Sequence, residues 1–128
     1  MTSNRRQVTS GRVYVGYKKL IAWQLADKLA WEVYSLTEGF PKHEIYGLTS
    51  QLRRAILSVA LNIVEGFSRN NKNEFRHFLN ISLGSLAESD YLLQFSLRRK
   101  YIDDIKFKKV DGLRVETGKV LWSLMKSL

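Results

Sequence analysis

Apolar residues recur along this chain at helical spacing, and in one stretch they leave almost no wet side. Between Tyr46 and Arg69, the residues Ala55, Ile56, Leu57, Val59, Ala60, Leu61, Ile63 and Val64 fall within a ten-residue window. Only Ser58 and Asn62 interrupt them. A helix with one dry face shows a single apolar stripe; one that is apolar nearly all round is covered on more than one side. Leu48, Leu52, Ile56, Val59 and Ile63 form one face, and Leu57, Leu61 and Val64 a second. The spacing predicts this helix over 44–66. Before it, Ala22, Ala26, Leu29, Val33 and Leu36 predict the core face of a helix over 20–38, with Trp23, Ala30, Trp31 and Tyr34 on its flanks. Gly39-Phe40-Pro41 ends that helix, since glycine takes the left-handed cap and proline cannot continue it. Asn71 or Asn73 caps a third helix over 72–100, with Glu74 near its positive end. Its dry side carries Phe75, Phe78, Leu79, Leu86, Leu93 and Leu97. Ser82, Ser85 and Ser89 make a small-residue stripe that lets a neighbour approach. Asp103 or Asp104 opens a fourth helix, in which Val110, Leu113, Thr117, Val120, Leu121, Leu124 and Leu128 repeat to the end.

Four helices joined by short turns predict an all-α chain folded as an up-down-up-down antiparallel four-helix bundle. The expected division is a basic, flexible arm over 1–17 and the bundle over 18–128. The second apolar face of helix two predicts contact with another subunit.

Charge adds to this picture. The 128 residues carry a net charge of +9. Residues 1–19 hold Arg5, Arg6, Arg12, Lys18 and Lys19 and no acid. A basic balance suits a polyanionic partner such as nucleic acid; plain solubility is the alternative. Arginine interleaved with Tyr14 and Tyr17 can contact phosphate and stack on bases. In the expected topology the arm, the turn between helices two and three, and the C-terminus share one end. That end gathers Arg5, Arg6, Arg12, Lys18, Lys19, Arg69, Lys72, Arg76 and Lys126 against Glu65 and Glu74. These cations are the candidate nucleic-acid contacts. At the other end, Arg98, Arg99 and Lys100 stand among acids that offset them. The chain has no cysteine, which excludes disulfides and thiolate metal sites and fits a reducing cytoplasm. No apolar run is long enough for a membrane span, and no secretory signal opens the chain.

No constellation names a reaction. Glu74-x-x-His77 has the spacing of a di-iron ligand pair. Such a site needs a second pair, and the only other histidine, His43, falls in a turn. No glycine-rich phosphate loop or nucleophile elbow is present. Neither catalysis nor a cofactor is therefore expected. Arg53, Arg54, Asn62, Glu65 and Glu88 read as a structural polar network. A buried guanidinium needs a carboxylate, and antiparallel helices let Arg54 reach Glu88.

Phe40-Pro41, Tyr46-Gly-Leu-Thr-Ser-Gln-Leu-Arg-Arg54, Asn62-Ile-Val-Glu-Gly66, Glu74-Phe-Arg-His-Phe-Leu79 and Gly84-Ser-Leu-Ala-Glu88 occur in this order. In these motifs residues 17–128 resemble the 23S rRNA intervening-sequence proteins. That family is similar in fold to the accessory variability determinants of diversity-generating retroelements. The resemblance implies a ring-shaped homo-oligomer, a pentamer on that pattern, with a basic surface. It also implies an accessory role beside nucleic acid and a reverse transcriptase. The alternative is a scaffold for an acidic protein partner, with no nucleic-acid role. The chain departs from the pattern in its longer basic arm and in Ala60, where many members carry proline.

Overall fold

A computed structural model describes residues 16–128. The expectations placed on Arg5, Arg6 and Arg12 lie outside them. Four helices account for most of the described chain: α1 (Ile21–Thr37), α2 (Leu48–Ser68), α3 (Lys72–Arg98) and α4 (Asp104–Ser127). Single 3-10 turns at Gly16–Lys19 and Lys42–Glu44 precede α1 and α2.

The helix ends follow from local chemistry. The Asn71 side chain accepts from the Glu74 N–H at 3.0 Å and starts α3. Asp103 accepts from the Lys106 N–H at 2.8 Å and starts α4. α3 stops in a Schellman turn, with the Tyr101 N–H on the Ser96 carbonyl and the Lys100 N–H on that of Leu97. Lys100 takes the left-handed position there, at φ 63°, where glycine is the usual residue.

α2 begins later than the apolar pattern predicts. The chain turns through a 3-10 segment and Gly47 before the helix starts at Leu48. Glu44 explains this start: its carboxylate accepts from the Leu48 N–H at 3.0 Å. A Cβ at position 47 would sit 2.8 Å from that carboxylate, so glycine leaves room for the cap.

α2 packs against α1 and α3, and α4 closes against both of those. Paired residues give the local directions. Ser58 meets Ser85 at 2.8 Å, Ser82 donates to the Val59 carbonyl at 2.8 Å, and Gly66 faces Phe78 and Phe75. Numbers rise on α2 as they fall on α3, so the two helices run oppositely. Asp90 with Arg114, and Leu86 with Gly118, give the same relation for α3 and α4. The serine stripe is what permits the α2–α3 approach: Ser82 and Ser89 are fully buried.

The core lies where periodicity placed it. Leu29, Val33, Leu52, Ile56, Val59, Ile63, Leu79, Leu93 and Leu121 have no exposure. Only one of the two apolar faces expected of α2 is covered. On the other, Leu57 is 37% and Leu61 63% exposed. Trp31 on α1 is 75% exposed.

Candidate nucleic-acid interface

The turn between α2 and α3 lies at the end of the molecule that also holds the Gly16–Lys19 turn, which contacts both α1 and α2. α4 runs opposite to α3, so its last turn returns to that same end. The described candidates Lys18, Lys19, Arg69, Lys72, Arg76 and Lys126 are therefore brought to one end, with Glu65 and Glu74. That is six cations to two acids. The far end holds Lys42, Arg98, Arg99, Lys100, Lys106, Lys108 and Lys109 with Glu38, Glu44, Asp103, Asp104 and Asp111, or seven to five.

The six cations are not equivalent. Arg69 is occupied: it bonds Glu65 at 2.7 Å, approaches Glu74 at 3.6 Å, and lies over the Phe78 ring. Its charge closes the α2–α3 turn and is already neutralised by carboxylates. Arg76 donates to the Asn73 side chain at 2.9 Å, a bond that leaves its charge in place. Lys126 lies 5.6 Å from the Trp122 ring. Lys18, Lys19 and Lys72 are exposed. Among the described residues none of these last five has an ion-pair partner. At the far end, no ion pair joins Arg98, Arg99 or Lys100 to the acids expected to offset them. Arg98 and Arg99 lie over Phe95 and Tyr101 instead, and Asp103 is used as a helix cap. The acids lower the net charge of that end by number, and the one ion pair among its cations in the described residues joins Lys109 to Glu32 at 3.7 Å.

The expected polar network is corrected by the structure. Its five members form separate local groups. Arg53 donates through Nε to Thr37 Oγ1 at 2.8 Å and stacks over Tyr34 at 4.6 Å. Asn62 donates to the Ser58 carbonyl and hydroxyl. Glu65 belongs to Arg69. Arg54 and Glu88 are both exposed, and no hydrogen bond or ion pair joins them among the described residues. Arg54 lies on the outer face of α2 with Leu57 and Leu61, so burial never forces it onto a carboxylate. Glu74 and His77 likewise have other neighbours, Arg69 and the Phe78 ring.

Sequence reasoning missed two polar clusters. Arg114, only 19% exposed, bonds Asp111 at 2.8 Å and reaches Asp90 across the α3–α4 seam at 3.5 Å. The Asp90 contact is an ion pair without hydrogen-bond geometry, and Asp90 Oδ1 is otherwise buried and unbonded. Asp111-x-x-Arg114 is a visible helical pair, but nothing in the sequence ties it to Asp90. The second cluster centres on Glu44, which also accepts from the Tyr101 hydroxyl at 2.9 Å. The Leu48 N–H first, and then the Tyr101 hydroxyl, hold the Glu44 pKa below the ordinary carboxylate value.

The fold defines an all-α, four-helix protein with cations at both ends and fewer acids at the end of the α2–α3 turn. Residues 18–123 match the family described as 23S rRNA-intervening sequence protein, and the chain belongs to that family. It is also similar to a protein of unknown function from the S23 ribosomal protein family of Bacteroides thetaiotaomicron, known from a crystal structure. The TM-score is 0.77 at 22% identity, over 83% of this chain and 96% of that one, a likeness that shows the fold alone. No curated protein matches. Among the described residues no helix is long and apolar enough to cross a membrane.

Proposed function

We propose that this protein is a non-enzymatic accessory protein that associates with RNA through the phosphate backbone. It works in the cytoplasm as a homo-oligomer, with an up-down-up-down bundle as the repeating unit and a ring of five as the expected assembly. Its protein partner, on the resemblance drawn from sequence, is a retroelement reverse transcriptase. The observation that carries the nucleic-acid reading is the set Lys18, Lys19, Lys72, Arg76 and Lys126. These cations gather at one end with no carboxylate ion-paired to them among the described residues. Five such side chains can each displace a counterion from a polyanion. The family's description ties it to rRNA insertions and supports RNA as the polymer. The exposed Leu61 on the outer face of α2 supports self-association.

Titration with single-stranded RNA and with duplex DNA at two salt concentrations tests this. Binding should weaken steeply with salt and show little sequence preference, because phosphate contacts carry no sequence information. A protein that binds neither polymer at low salt overturns the proposal and favours the scaffold for an acidic protein.

A further inference from the structure

An open groove of about 380 Å³ runs along the outside of α1 where it meets α2, lined by Asp27, Ala30, Trp31, Tyr34, Glu38 and Leu57. Its floor is apolar and aromatic, and Trp31 is three-quarters exposed over it. Its two ends are acidic. Asp27 and Glu38 lie about 16 Å apart along the helix at 1.5 Å per residue. Neither has an ion-pair partner among the described residues. Such a groove fits an extended, basic, partly apolar segment.

We propose that the groove holds the N-terminal arm of the same chain. Three observations point to that occupant. The first is charge: the arm carries Arg5, Arg6 and Arg12 and no acid. Val13, Tyr14 and Val15 beside Arg12 supply apolar side chains for the floor. The second is direction. Gln24 Nε2 donates to the Lys18 carbonyl at 2.8 Å, and the Tyr17 ring packs edge-on against Trp23 at 5.1 Å. The chain is thus fastened to the first turns of α1. Trp23, Asp27, Trp31, Tyr34 and Glu38 follow one another at spacings of three and four, which is a single stripe on that helix. The arm starts where the stripe starts.

The third observation is reach. From the first turn of α1, Asp27 lies about 9 Å along the helix and Glu38 about 26 Å. An extended chain covers up to about 3.3 Å per residue, so Arg12 reaches about 13 Å from Gly16 and Arg6 about 33 Å. Arg12 can therefore meet Asp27, and Arg5 and Arg6 can meet Glu38, in order. The tether also favours this occupant over a free basic peptide, because it fixes a high local concentration. This inference does not rest on the nucleic-acid reading.

The test needs no nucleic acid. The full chain is labelled with 5-fluorotryptophan, and the Trp31 fluorine resonance is assigned with Trp31→Phe. Its solvent exposure is read from relaxation by a neutral, soluble gadolinium chelate. Trp31 should be protected in the parent. The double change Asp27→Lys, Glu38→Lys should raise the relaxation several-fold. Adding Arg5→Glu, Arg6→Glu and Arg12→Glu should restore protection, which a merely unfolded variant could not do. Equal exposure of Trp31 in the parent and the double variant overturns the proposal, as does failure of the reversed arm to restore protection. Protection that fades on dilution assigns the groove to a second copy and also overturns it.

Discussion

Replacing Gly66 with alanine tests the α2–α3 contact on which the bundle is built. Gly66 is buried in the last turns of α2. A Cβ there would lie 2.8 Å from the Phe78 Cβ, 2.9 Å from the Phe75 ring and 3.3 Å from the Phe75 carbonyl. The Phe75 ring can rotate away. The Phe78 Cβ moves only with its own backbone, so α3 must shift against a close-packed seam. Overpacking of this kind costs about 1–3 kcal/mol, while alanine recovers up to about 1 kcal/mol of helix propensity. The net expectation is destabilisation of up to about 2 kcal/mol, the difference of those two figures. Gly84 and Gly112 are internal controls. Each is exposed within a helix, and an added Cβ meets nothing within 4 Å. Alanine there should stabilise by up to about 1 kcal/mol. Urea unfolding of the three single variants reads the signs directly. A Gly66→Ala protein as stable as Gly84→Ala would refute the close approach.

Arg114→Leu removes the hydrogen-bonded partner of Asp111 and the charge facing Asp90 and should cost about 1–3 kcal/mol, the range for hydrogen bonds to charged groups and acceptors left without a partner; an unchanged urea midpoint would show that the seam does not need it. Glu88→Ala should change stability by less than about 0.5 kcal/mol, as expected of an exposed side chain, and a larger loss in the melting temperature would restore the buried pair with Arg54. Glu44 gives a pH signature. Its folded pKa lies below the unfolded value, so its stabilisation is fully present above the ordinary carboxylate pKa of 4.5 and is lost as pH falls through the lowered value. Glu44→Gln should therefore be less stable than the parent at neutral pH, and the gap should close in acid; a gap that persists in acid would contradict the cap.

Much of the fold was legible because helical periodicity and caps are local. Asn71 and Asp103 announce helix starts, and Gly39-Phe40-Pro41 marks the end of α1, although Gly39 does not take the left-handed cap expected of it: the chain leaves α1 through bonds from the Gly39 and Phe40 N–H groups to the Leu36 and Thr37 carbonyls. The start of α2 was not legible. The apolar pattern runs on through Ile45, while the boundary is set by the Glu44 carboxylate folding onto Leu48 beside a glycine. The polar side chains were harder still. Arg54 and Glu88 lie at levels that suit a cross-helix pair, yet both point outward; spacing gives the level of a residue and not the side it faces. The pairing of Arg114 with Asp90 depends on how α4 is rotated against α3, which no stretch of sequence states. Arg69 belonged by position to the candidate interface, but two neighbouring carboxylates claim it.

Charge reversal at the two ends of the molecule tests the proposed function most directly. One variant carries Lys18, Lys19, Lys72 and Arg76 changed to glutamate, and the other Arg98, Arg99 and Lys100. RNA affinity is measured for both across a salt series. The first should bind more weakly to every sequence, with a salt slope flatter by about one for each phosphate no longer neutralised. The second should stay much closer to the parent in both respects. Equal weakening in the two variants, or an unchanged first variant, would contradict an RNA surface at the α2–α3 turn.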